Sequence, residues 1–170
     1  MHLLLERAKH RKFAAAAVGA IALAVAGVVV VPALATPGSG FVRTPQSVGH
    51  FGELDVKAVK EGHWDLFLKT KDATDIAVDR LTVAPGGFSG WHSHVGPVFV
   101  TVVSGEITVY QQADCSYQTY RAGDAFIEKA QRAHFVKNNT GTPAEFVAIQ
   151  IVPTGALFRV DEQPPTTCSI

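Results

Sequence analysis

From residue 64 onward the chain alternates short runs of Val, Ile, Thr, Phe and Tyr with turn-forming residues. The runs Trp64–Lys69, Asp75–Val83, Pro97–Val103, Glu106–Gln112, Tyr117–Arg121, Ala125–Glu128, His134–Lys137 and Ala144–Val152 each read as a β-strand. Ser104-Gly105 between two of them is a hairpin signal, and Asn138-Asn139-Thr140-Gly141 is a second turn cluster. No window after Thr36 carries a helical apolar stripe of useful length. Many short strands at close spacing predict an all-β sandwich or barrel over residues 54–160. Residues 36–53, punctuated by Gly, Pro and Ser, read as a linker or arm, and residues 161–170 as a tail.

The first 35 residues follow a different pattern. Arg7, Lys9, Arg11 and Lys12 precede an uncharged run from Phe13 to Val31, and Ala33-Leu34-Ala35 is a small-x-small site. This predicts a secretory signal peptide cut after Ala35, with an uncleaved membrane anchor as the alternative, because the run approaches the roughly twenty residues that span a bilayer. Either reading puts the folded part outside the cytoplasm.

Setting that segment aside changes the charge. The remaining chain carries eleven basic and fourteen acidic side chains, a net charge of −3. A nucleic-acid partner, which calls for a basic face, is therefore not expected. A membrane partner is expected only if the amino terminus is retained. About 135 residues suffice for one domain with a real core. The two cysteines, Cys115 and Cys168, allow a disulfide, two free thiols, or Cys115 as a soft metal ligand. An oxidising compartment favours the disulfide, which would close a loop of about fifty residues and contribute about 4 kcal/mol on the chain-entropy model.

Candidate chemistry is concentrated in Gly86-Gly87-Phe88-Ser89-Gly90-Trp91-His92-Ser93-His94 and in His134. Two histidines at i and i+2 of an extended segment project from one face, so their imidazoles can converge on a transition metal. The spacing continues as Gly86, His92, His94, Val98, Gly105 and then Gly123, Lys129, Gln131, His134, Asn138. This resembles the paired motif of the cupin superfamily over about residues 76–153, with three departures. Val98 stands where the family has a glutamate ligand, Lys129 where it has proline, and Gln131 where it has glycine.

The resemblance implies a single cupin-type β-barrel, of the jelly-roll or double-stranded β-helix kind. It further implies a mononuclear site of His92, His94 and His134 for one divalent transition metal: Fe, Zn, Mn, Ni or Cu. Three neutral imidazoles without a carboxylate would leave the full +2 charge of the ion in place. Strand parity predicts that Val98, Val100, Val102 and Val136 form an aliphatic pocket, while Phe99, Thr101 and Val103 point the other way. Tyr110 and Gln150 are candidate pocket residues from other strands. His50 and His63 read as exposed or edge residues, Trp91 as packing, Asp124 as a turn residue and Asn138 as structural. Asn138-Asn139-Thr140 is also an N-x-T sequon.

No residue stands out as a general base. The function expected is that of an exported cupin binding a small-molecule ligand, either as an oxygenase or isomerase or as a non-catalytic ligand- or metal-binding barrel. A scaffold with relic histidines is a third reading, and a homodimer is compatible with the fold.

Overall fold

The computed structural model describes residues 37–60, 62, 64–168 and 170. The expected signal segment and its cleavage site, together with His63, lie outside the described residues. The described chain forms twelve strands: β1 (Ser39–Phe51), β2 (Asp55–Lys60), β3 (Trp64–Lys69), β4 (Thr74–Phe88), β5 (His92–Ser93), β6 (Val98–Ser104), β7 (Glu106–Gln111), β8 (Tyr117–Arg121), β9 (Ala125–Glu128), β10 (His134–Lys137), β11 (Ala144–Pro153) and β12 (Val160–Asp161).

All pairings are antiparallel. One half of the barrel runs β1-β4-β11-β6-β9 and the other β8-β7-β10-β5-β12, and the halves join where Phe88 of β4 meets Lys137 of β10. This is the jelly-roll arrangement that the strand pattern and the resemblance imply. The core lies between the halves. Val98, Val100 and Val102 of β6 are each 1% exposed and pack with Leu81, Ile107, Val136 and Phe146. Their neighbours Phe99 and Val103 are 43% and 46% exposed, because successive strand residues face opposite sides. Each buried valine contributes on the order of 1.5–3 kcal/mol from apolar area removed from water.

The segment read as a linker or arm is β1, which pairs with β4 along nearly its whole length. Its side chains are mostly exposed, so it carries no alternation that would reveal a strand. Pro45 sits at a register shift, where a missing N–H is tolerated. Strands β2 and β3 form a separate hairpin.

Gly105 makes the β6–β7 turn possible. Its φ is +72°, and a Cβ there would lie 2.5 Å from the Pro143 carbonyl oxygen. Cys115 and Cys168 are joined by a disulfide that ties the C-terminal tail to the β7–β8 turn.

Candidate metal centre

Strand β5 is only two residues long, yet it holds His92, and His94 follows directly after its end. His92 sits directly opposite His134 of β10, and Ser93 opposite Val160 of β12. His92, His94 and His134 are 5%, 6% and 2% exposed, and one ring nitrogen from each lies within 4.8 Å of the others.

Backbone carbonyls set the tautomer of each ring. Nδ1 of His92 donates to Gly90 O at 3.0 Å, Nδ1 of His94 to Phe158 O at 2.6 Å, and Nδ1 of His134 to Arg132 O at 2.9 Å. A carbonyl oxygen only accepts, so each Nδ1 carries the hydrogen and each Nε2 of a neutral ring presents its lone pair. Three imidazoles oriented from behind by carbonyls, with their free nitrogens converging, form a ligand set with its supporting shell already in place.

A fourth group enters from β9. Glu128 is 8% exposed, and its carboxylate oxygens lie 3.1 Å from Nε2 of His94 and 3.2 Å from Nε2 of His134. Short as they are, these contacts lack hydrogen-bond alignment: both nitrogens are buried without a directional partner. The three-histidine cluster stands as expected, with a buried carboxylate beside two of its members. Position 98 lacks the acid, but Val98 is paired with Glu128 across the β6–β9 ladder, and paired residues share a face. Parity within the run Ala125–Glu128 was the available signal, since it places Glu128 on the same face as Phe126, the partner of the buried Val100.

The electrostatics follow from this crowding. Burial pushes the Glu128 carboxyl up, but the charge of His134 and the contacts with His134 and His94 outweigh it and hold the group below its ordinary range. Burial lowers His134, yet the Glu128 carboxylate more than compensates and the net shift is upward. His92 has no such partner: burial, then the charges of His134 and Arg159, hold it well below its ordinary value. Lone pairs facing a buried carboxylate require a positive charge between them, supplied by a proton or by a metal ion. Three converging imidazole nitrogens, with the Glu128 carboxylate beside two of them, fit a divalent first-row metal, and this donor set does not choose among Fe, Zn, Mn, Ni and Cu.

Above the histidines lies a cavity of about 610 Å³. Val98, Val136 and Gln150 line it, as do Phe146, Leu157 and Arg159. Val100 and Val102 are buried in the core outside its wall. Tyr110 is a correction. Ile107 and Val109 of β7 face inward, so Tyr110 faces outward, where its hydroxyl accepts from Asn139 Nδ2 at 2.9 Å and its ring packs on Tyr117.

Arg159 was not singled out in the sequence. It donates from Nη2 to Ser89 O at 2.8 Å and from Nε to Asp161 Oδ1 at 2.7 Å, which aims a cation at the cavity.

The remaining candidates have structural roles. Trp91 is buried against Phe135. Asp124 accepts from the Arg121 amide within its turn. His50 is exposed on β1 and pairs with Asp75 at 2.8 Å. Asn138 is fully buried. Its Nδ2 donates to Val83 O and Thr142 O, and its Oδ1 accepts from Thr140, so the sequon's acceptor nitrogen is inaccessible in the folded protein.

Residues 79–150 match the family model described as Cupin domain. Over those residues the chain carries a cupin domain. The chain is 34% identical over 108 residues to Germin-like protein 3-1 of Oryza sativa subsp. japonica, a match covering 55% of this chain and 47% of that protein. The chain thus spans about half the length of the curated relative it matches. Among solved structures, the oxalate decarboxylase of Lactobacillus farciminis in its formate complex superposes with a TM-score of 0.45 at 19% identity, over 51% of this chain and 26% of that chain. A mutant of the Bacillus subtilis oxalate decarboxylase gives a TM-score of 0.43 at 27% identity, over 51% and 23%.

Proposed function

We propose that this protein is a metal-dependent cupin working outside the cytoplasm. In this reading one divalent transition metal is held by Nε2 of His92, His94 and His134 and by the Glu128 carboxylate, and the cavity above it receives a small organic molecule. The observation that carries the reading is the convergence of three buried Nε2 atoms, each left free because its Nδ1 donates to a backbone carbonyl. The Cys115–Cys168 disulfide supports an oxidising compartment.

When bound, the metal supplies Lewis acidity and an exchangeable position for an oxygen ligand. The chain's own residues do the rest. Glu128 offsets one unit of the metal's charge, Arg159 draws an anionic group into the cavity, and Val98, Val136 and Phe146 exclude water from it. The other cavity carboxylate, Asp161, is engaged by Arg159, so among the described lining residues none is free to act as a general base. That favours an oxygenase, which needs no protein base, over an isomerase. The same observation supports a second reading, a non-catalytic barrel that holds a small ligand on the metal.

A homodimer is part of this proposal. The β2–β3 hairpin presents Val56, Trp64 and Leu66 to solvent at 45%, 55% and 44% exposure on one face, and an isolated two-stranded hairpin is marginal in water. A second copy would cover that face, and light scattering on the purified protein would give twice the chain mass.

Elemental analysis of protein purified without a polyhistidine tag, beside His94→Ala, tests the metal site. The expected result is near-stoichiometric metal that is lost in the variant. No metal in either, even after reconstitution, would overturn the reading. Oxygen uptake with metal-chelating organic acids then separates the oxygenase from the binding barrel.

A further inference from the structure

One polar group in the aliphatic wall of the cavity has no role so far. Gln150 of β11 is 5% exposed, and its Nε2 donates to Asp79 Oδ2 at 2.9 Å. Asp79 is itself buried, with Arg43 Nη2 lying 2.9 Å from its other oxygen, so donors approach both carboxylate oxygens. This fixes the orientation of the Gln150 amide. The NH₂ faces Asp79, and the carbonyl Oε1 is left buried without a hydrogen-bond partner. Buried acceptors are normally satisfied, so this one marks a place where a donor from outside the chain fits.

Register places that acceptor relative to the metal centre. Gln150 pairs with Val98 across β11–β6, and Val98 pairs with Glu128 across β6–β9. The three residues form one row across the inner face, with Val98 in the middle. Two strand spacings separate the Cα atoms of Gln150 and Glu128 by roughly 10 Å. Val98, Glu128 and Gln150 all line the cavity, and position 98 carries only a valine between the two polar residues.

We infer that Gln150 is a specificity-determining residue of a ligand subsite, and that the site takes a short-chain carboxylate bearing a hydroxyl or amino hydrogen donor. The inference rests on the metal reading above. The carboxylate belongs at the pole formed by the metal ligands and Arg159, the carbon skeleton lies over Val98, and the O–H or N–H donates to Gln150 Oε1. Asp79 and Arg43 are positioning residues, since they act by holding the amide in that orientation.

The test uses the purified protein loaded with Co(II), whose visible absorption reports ligand exchange at the metal. The probes are propionate, lactate, 3-hydroxypropionate, alanine and β-alanine, titrated into the protein and into Gln150→Met, which keeps the side-chain volume. At least one donor-bearing probe is expected to bind about tenfold or more tightly than propionate, because a site built around a polar group rejects the analogue that lacks its partner. In Gln150→Met that advantage falls to under about threefold. The hydroxy and amino arms identify which donor is preferred.

An equal advantage in Gln150→Met, or no advantage for any donor-bearing probe, overturns the subsite. Absence of a Co(II) spectrum before any probe is added overturns the metal reading itself, and the subsite with it. Should Gln150→Met fail to fold, Gln150→Leu likewise removes the acceptor. It is expected to abolish the preference for hydroxyl probes over propionate, and retention of that preference overturns the proposal.

Discussion

Val98 and Glu128 face each other across the β6–β9 ladder, and through that pairing the acid absent from the first histidine motif reaches the same three imidazoles from the next strand. The relationship has an energetic consequence. Val98→Glu would place a second carboxylate beside Glu128 at a position 1% exposed. Without metal, we expect it to lower stability by about 3 kcal/mol, because like charges share a buried site. The double variant Val98→Glu/Glu128→Val should recover most of that loss and still bind metal. Urea denaturation of the single and double variants, with metal titrations alongside, checks both statements.

Glu128→Gln keeps the shape of the side chain and removes its charge. Metal affinity is expected to fall by about 10- to 100-fold while saturating stoichiometry is unchanged, since the three imidazoles remain oriented by their carbonyl partners. Competition with a chelator of known affinity measures the ratio, and an unchanged affinity would show that the carboxylate is not a ligand.

Stability of the metal-free protein should peak near pH 6.5, the ordinary histidine value, as far as His92 and His134 govern it. The His134 value is raised, so its contribution is complete below 6.5 and is lost as pH rises through the folded-state value. The His92 value is lowered, so the unfolded chain takes up a proton below 6.5 that the folded protein refuses, and stability falls on that side as well. Glu128, whose value is depressed, adds a further loss as pH drops below its ordinary 4.5. Metal binding must displace the His134 proton, so affinity should rise with pH through the same range. Thermal melts and metal titrations between about pH 4 and 9 read both effects; a flat profile across pH 6.5 would contradict the coupling of His134 to Glu128.

Gln131 holds φ +57° where the family motif has glycine, and its amide donates to His94 O at 2.8 Å. A non-glycine residue in the left-handed region costs about 1 kcal/mol. Gln131→Gly should therefore raise stability by up to about that amount, less the entropy a glycine adds to the unfolded chain. Differential scanning calorimetry decides the sign.

Reducing the Cys115–Cys168 bridge, or substituting Cys168→Ser, should destabilise the fold by about 4 kcal/mol on the chain-entropy model. The same change frees the tail that accepts a hydrogen bond from Gln112 at Gln163 O. Protease sensitivity confined first to residues after 160 would identify the loosened element.

Much of the architecture was legible because it depends on local pattern. Alternation along Pro97–Val103 and Ala144–Val152 marks strands with one buried face, and the observed β6 and β11 occupy nearly the same residues. Strand β1 was not legible as a strand, since its partner β4 supplies its order and most of its own side chains stay in water. The histidines were readable from spacing, because i and i+2 share a face wherever the backbone is extended.

By itself, then, the sequence determined the all-β class, the three imidazoles and the two cysteines that the fold joins, because each follows from periodicity, spacing or residue chemistry. Tertiary structure alone decided that Glu128 meets His94 and His134, that Tyr110 turns outward, that Arg159 reaches the cavity, and that Gln150 keeps one bare acceptor beside it. Those facts depend on register between strands far apart in the chain. A shift of one residue would reverse every side chain involved, and nothing local in the sequence sets that register.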